Sequence, residues 1–192
     1  MRPDNPFSSR FVDPAGHPFL FPPGQTLAMV GERWQTQGWW GEIVGPHGSG
    51  KSTLLHTLIS WAGERGCSGH FIFLNDQQHR LPADWAAAGS TVDFYAVDGA
   101  EQLSGWAWWR LRRHCRRRAC GLLVTAHRRL GLPPLYQTTA ANGPTVQRVL
   151  AALAPQADYS DQQCAQLAEQ HGGNLRSILF ALYDRWESEL GV

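Results

Sequence analysis

One octapeptide constrains this chain more than any other feature. Gly45-Pro46-His47-Gly48-Ser49-Gly50-Lys51-Ser52 fits the pattern GxxxxGK[ST] in full. It follows Trp39-Trp40-Gly41-Glu42-Ile43-Val44, which reads as a strand. It precedes a helix from Ser52 to about Glu64 with Leu54, Leu55, Leu58 and Ile59 on one apolar stripe. A glycine-rich turn between strand and helix lets successive N–H groups face one anion, and the helix N-terminus adds partial positive charge. The pattern predicts a phosphate cradle of Gly45, Pro46, His47, Gly48, Ser49, Gly50, Lys51, Ser52 and Thr53, with His47 a solvent-facing filler. Lys51 is placed for the β- and γ-phosphates of a nucleotide and the Ser52 hydroxyl for Mg²⁺. Lys51 is also the only lysine among 17 basic residues. A planar guanidinium is bulkier than an ammonium and does not fit that cradle.

The rest of the chain supplies the elements such a loop needs. Residues 1–25 carry prolines and aromatics and suggest an extended arm on the domain surface. Thr26 to Gln37 reads as a helix stopped by Gly38. His70 to Leu74 is a near-continuous apolar run, the pattern of a buried parallel strand. Pro82 opens a short helix that Gly89 ends, and Val92 to Val97 is a strand running into Asp98. Glu101 to about Arg118 reads as one helix with Leu103, Ala107, Leu111 and Cys115 toward the core. Strands follow at Gly121–Thr125 and Leu135–Thr138, then helices at about 144–153, 160–171 and 174–189. Alternating strands and helices imply a parallel sheet with right-handed crossovers. The expectation is an α/β fold: an N-terminal arm and helix (1–38), a nucleotide-binding core (39–140) and a helical lid (141–192).

Asp98 ends an apolar strand, the position that holds Mg²⁺ in folds built around such a loop. Many related ATPases place Glu directly after this Asp, but here Gly99 follows. The nearest carboxylate is Glu101, either the base that takes the proton of a water or a first-turn acid complementing a helix dipole.

These motifs together resemble the AAA+ ATPase family of P-loop NTPases, an α/β core with a small helical lid. The resemblance covers roughly 39–190 and rests on GPHGSGKS, AVDGAEQL, GLLVTAH and HGGNLRSILFALYD. It implies ATP and Mg²⁺ as cofactors, Thr125 as the strand-tip residue that senses the γ-phosphate, and Arg176 as the lid arginine that reaches the nucleotide. Residues 127–134 depart from that family, being too short for a full helix before an arginine finger, though Arg128 or Arg129 could still act in trans on a neighbour's nucleotide. An ABC-transporter reading fails on order, because Leu103-Ser104-Gly105 follows Asp98 rather than preceding it. The expected function is a Mg²⁺-dependent ATPase or ATP-driven switch. The alternatives are a non-hydrolysing nucleotide-binding assembly module, a nucleic-acid-coupled ATPase and a small-molecule kinase.

Charge separates the remaining readings. The net charge is +1, yet residues 102–157 hold nine arginines and no acid. Within them Trp106 to Arg118 forms a helix whose Trp106, Trp109, Arg110, Arg113 and Arg117 line a face away from the core. That face suits a protein partner or self-association against the acidic segment 158–192, or nucleic acid through stacking and phosphate contacts. It also fits a solvated face with its tryptophans covered by the arm. A membrane surface is disfavoured, since the opposite face is needed for the core. No apolar run reaches the roughly 18–20 residues of a membrane span. The N-terminus lacks a signal core, and Cys67, Cys115, Cys120 and Cys164 form no CxxC pair. These features lead to an expectation of a soluble, cytoplasmic protein without disulfides.

Overall fold

The computed structural model describes Phe7, residues 16–87 and residues 92–189. The elements run α1 (Leu27–Thr36), β1 (Trp40–Val44), α2 (Lys51–Gly63), β2 (Gly69–Phe73), β3 (Phe94–Asp98), α3 (Gly105–Arg118), β4 (Gly121–Ala126) and β5 (Pro134–Gln137). Three helices follow: α4 (Gly143–Leu153), α5 (Asp161–Gln170) and α6 (Leu175–Glu189). The five strands form one sheet in the order β2-β3-β4-β1-β5, and every pairing is parallel. β1 therefore lies between β4 and β5, and its carboxyl end, where the phosphate loop begins, sits beside the tips of both.

Two apolar layers cover the sheet. On one face α1 and α2 bury Trp34, Leu54, Leu55, Leu58 and Trp61 against Ile43, Phe94 and Leu123. On the other, α3 turns Leu111 and Cys115 onto Tyr95, Val97, Leu122 and Val124, with Leu103 and Ala107 flanking. A third cluster joins α4, α5 and α6 through Val146, Leu150, Cys164, Ile178 and Leu182, and Phe7 of the arm is buried in it. The termini of these helices follow local chemistry. Ser104, Asn142 and Ser160 cap α3, α4 and α5 by accepting from backbone amides of the first turn, and Ser160 forms a reciprocal capping box with Gln163.

Four expectations change. β2 is an edge strand, not a buried one: Phe71 and Phe73 are 39% and 50% exposed, and only Ile72 of its side chains is buried. An apolar run cannot by itself distinguish a central strand from an edge. Pro82 opens two successive i→i+3 turns, to Trp85 and then from Asp84 to a 3₁₀-helical Ala87, rather than an α-helix; Gly89 lies outside the described residues. The helix from Glu101 is broken. Ala100–Gln102 is one 3₁₀ turn, and α3 starts only after Ser104. Finally, Trp106 and Trp109 are 65% and 55% exposed, so the described residues do not cover them.

Candidate functional site

The octapeptide curls as its glycines allow. Gly48 has φ +66°, and a Cβ there would overlap the side-chain oxygen of Asn174 at the start of α6. The same approach lets the Leu175 amide donate to the Gly48 carbonyl at 3.0 Å, which ties the terminal helices directly to the loop. Ser49 donates to the Pro46 carbonyl at 2.7 Å and lies 2.6 Å from the Thr138 hydroxyl beyond β5. The Lys51 ammonium donates to the Pro46 carbonyl at 2.7 Å. Burial pushes Lys51 below its ordinary value, with Glu101 and Asp98 acting in the opposite direction.

Beside the loop stand the tips of β3 and β4. Asp98 is nearly buried and accepts from the Thr125 hydroxyl, which in turn accepts from the Gly99 amide at 2.9 Å. The single hydroxyl hydrogen of Thr125 is thus committed to Asp98, and contact with a phosphate requires that bond to open. The 3₁₀ turn carries Glu101 inward. Its Oε1 lies 3.0 Å from His127 Nε2, and its Oε2 is buried with no protein partner. Gly99, at φ +79°, has no room for a side chain, because a Cβ would sit 2.5 Å from the Leu74 carbonyl oxygen. A side chain on this backbone would be strained both by its left-handed conformation and by the Leu74 carbonyl.

Most of these groups line one cleft of about 570 Å³, a volume within the range of small-molecule sites. The loop residues Gly48 to Thr53 and His47 line it together with Asp98, Glu101, Thr125 and Arg176; Gly45 and Pro46 are not among its lining residues. Three contributions escape a reading of the sequence. The arm is a wall of the cleft through His17, Phe19, Leu20, Pro22 and Gln25. Phe19 and Phe21 pack edge-on against Tyr136, and the Phe19 amide donates to Thr57 at 2.9 Å. Arg148 of α4 enters beside Arg176, with its Nε buried and unpaired. His127 is the third. It touches Gly45, Lys51 and Glu101 and stacks on the exposed His47 with ring centroids 3.7 Å apart. The histidine in GLLVTAH is the only sequence signal for it.

Glu42 is a further surprise. It sits in the middle of β1, 1% exposed, where an apolar residue is the norm. Its carboxylate accepts from Arg129 Nε at 2.9 Å and from the amides of Leu130 and Leu132 at 2.8 and 3.3 Å. Arg129 is thus tied to β1 through Nε, with its side chain still 65% exposed.

Oxygen donors suited to Mg²⁺ stand at the cleft: the Asp98 carboxylate and the Ser52 hydroxyl at the first turn of α2. Among the described residues no cluster of three His, Cys, Asp or Glu side chains could hold a metal unaided. A magnesium ion here would share its coordination with phosphate oxygens and water.

No protein-family model matches the chain, and no curated protein is similar to it in sequence. Solved structures are similar in fold. The replication initiator DnaA bound to AMPPCP and single-stranded DNA aligns at TM-score 0.63 and 16% identity, over 85% of this chain and 61% of that one. Domain III of the Thermotoga maritima initiation protein DnaA aligns at 0.61 and 14%, over 91% and 87%. AMPPCP-bound DnaA from Aquifex aeolicus aligns at 0.58 and 16%, over 79% and 58%. This chain spans about three fifths of the first of these structures. The α/β fold with terminal helices is that of these DnaA structures. No helix among the described residues is long and apolar enough to cross a membrane.

Proposed function

We propose that this protein binds ATP with Mg²⁺ and acts as an ATPase or ATP-driven switch. The single observation that carries the reading is convergence: the phosphate loop, Asp98, Glu101, Thr125 and the lid arginine Arg176 line one cleft. The loop amides and Lys51 take the phosphates, while Asp98 and Ser52 hold the magnesium shell, which neutralises charge on the terminal phosphates. The apolar wall of Phe19, Leu20 and Pro22 offers a flat surface to the base. Glu101, which lines the cleft, takes the proton of the attacking water. Thr125 and Arg176 report the γ-phosphate to the terminal helices, which also touch the loop at Gly48. The units that carry this work are the arm and helix 1–38, the core 39–140 and the lid 141–192.

Incubation with Mg²⁺–ATP, followed by assay of released phosphate and retained nucleotide, tests the reading. Wild type should release phosphate and Asp98→Ala should not, with an unchanged circular dichroism spectrum. Retained ATP without ADP production would mark the non-hydrolysing switch, and failure to take up nucleotide removes both.

A second reading adds single-stranded nucleic acid as the partner. The exposed Trp106 and Trp109 of α3 favour it. The guanidinium groups of Arg110 and Arg113 lie over these rings, 4.6 and 5.4 Å from their centroids. Bases stack on such indoles while arginine forks hold phosphates. Oligonucleotide should then raise phosphate release at low salt, and Arg113→Ala with Arg117→Ala should abolish that rise without changing nucleotide affinity.

A further inference from the structure

β2 forms one edge of the sheet, and its outer side is unguarded. Gly69–Phe73 pairs with β3 alone, in an unbroken parallel register. The Ser68 carbonyl accepts from the Phe94 amide, and the Leu74 amide donates to the Asp98 carbonyl. In a parallel pair alternate residues bond the same neighbour, so 68, 70, 72 and 74 turn their backbone groups toward β3. Gly69, Phe71 and Phe73 therefore turn theirs outward, where these groups have no hydrogen-bond partner among the described residues. Soluble proteins usually blunt such an edge with a charge, a proline or a bulge. The strand GHFIF holds no lysine, arginine, acid or proline, and its register has no shift.

The side chains are as open as the backbone. Ile72 turns to the face that α3 covers, whereas Phe71 packs beside His56 of α2 with ring centroids 4.7 Å apart. By alternation Phe73 shares the face of Phe71, and both rings are exposed. Gly69 lies on that face as well. It is held to glycine from within, because a Cβ there would sit 2.5 Å from the Phe94 ring.

We infer that the β2 edge is an interface between two copies of this chain, paired β2 to β2 and antiparallel about a two-fold axis at Phe71. That axis sets Phe71 opposite its own equivalent and Gly69 opposite Phe73. All of these positions face outward, so each pair exchanges both backbone hydrogen bonds. Each Phe73 covers the glycine of the facing strand, and the rings of both copies form one apolar row on the α2 side of the joined sheet. This self-complementarity assigns the edge to a second copy rather than to an unrelated extended peptide. The exposed parts of the two rings amount to about 200 Å² per copy, against about 800 Å² per partner in a standard interface, so the dimer is weak and reversible.

Sedimentation velocity of the full chain over about 5–500 µM tests this, because a weak dimer is populated by mass action. The average mass should climb from that of one chain toward that of two. Phe71→Lys sets two ammonium groups against each other across the axis and should stay monomeric throughout, with an unchanged circular dichroism spectrum. Hydrogen–deuterium exchange of the wild type needs no variant and decides the matter should Phe71→Lys not fold. Exchange over residues 69–73 should slow severalfold between dilute and concentrated solution. A wild type that is monomeric at every concentration overturns the inference and leaves the edge to an extended peptide of another protein. A dimer that survives Phe71→Lys, or that protects the arginine face of α3 instead of residues 69–73, overturns it equally.

Discussion

Gly99 offers the sharpest test of the steric argument at this site. The perturbation is Gly99→Ala. The residue sits at φ +79°, and its new Cβ would lie 2.5 Å from the Leu74 carbonyl oxygen. Leu74 cannot simply retreat, because its amide donates to the Asp98 carbonyl at 2.9 Å and anchors the end of β2 on β3. Placing alanine in the left-handed region costs about 1–2 kcal/mol. Relieving a backbone contact in a packed region adds about 1–3 kcal/mol. Gly38 isolates the first effect: it has φ +66° and nothing within 4 Å of a built Cβ. Gly99→Ala should therefore lose about 2–5 kcal/mol, against about 1–2 kcal/mol for Gly38→Ala. Urea denaturation reads each as a shift in midpoint at constant slope. Equal losses for the two variants would refute the contact with Leu74. The same geometry excludes glutamate at position 99, so Gly99→Glu should be less stable still and should gain no phosphate release.

Other perturbations test the remaining elements. Glu42→Gln replaces a buried acceptor of three N–H donors with a group that is half donor, and should cost about 2–4 kcal/mol in urea denaturation; a loss below about 0.5 kcal/mol contradicts the role assigned to it. Lys51 is the only lysine, so an amine-directed reagent has one side-chain target in the whole chain. Saturating Mg²⁺–ATP should slow its modification severalfold as read by intact mass, and equal rates would count against the phosphate loop. His114 is held below its ordinary value of 6.5 by burial first and by Arg118 second. Its folded form resists a proton that the unfolded chain accepts, so stability contributed by the neutral ring is lost as pH falls from about 6.5. The wild type should therefore lose midpoint between pH 7 and 5 more steeply than His114→Gln, and parallel curves would remove His114 as a cause.

The features legible in the sequence share one property: their physics is local. A phosphate loop needs glycines, a lysine and a hydroxyl at fixed spacing, so eight consecutive residues reveal it. The core face of α3 is written at three- and four-residue intervals, and Leu111 and Cys115 are indeed fully buried. Asp98 stands out because a carboxylate at the end of an apolar strand is costly to bury unless a donor or a cation meets it. The features that stay hidden depend on distant partners. Glu42 looks like an ordinary polar residue until Arg129, Leu130 and Leu132 arrive 87 to 90 residues later. The apolar run at 70–74 carries no mark of lying at the sheet edge. Nor does the arm show that Phe19 and Phe21 will meet Tyr136 across the cleft.

Gly99 and His127 show how the two kinds of information combine. The sequence presents Gly99 only as a departure, an expected acid that is not there. The structure adds that on this backbone a side chain at position 99 would meet the Leu74 carbonyl. It also supplies the compensation, since the 3₁₀ turn that follows brings Glu101 to the cleft two residues later. A carboxylate on such a turn is not fixed by a strand end and needs a partner to aim it. His127 is that partner, held at 3.0 Å, and its other nitrogen faces the phosphate loop. An acid moved off the strand and a histidine brought to the strand tip are therefore one arrangement. This makes the two residues interdependent. If Glu101 is aimed only by His127, then Glu101→Gln and His127→Gln should each lower phosphate release, and the double variant should be no slower than the slower single one. Independent, multiplicative losses would mean that Glu101 finds its position without the histidine.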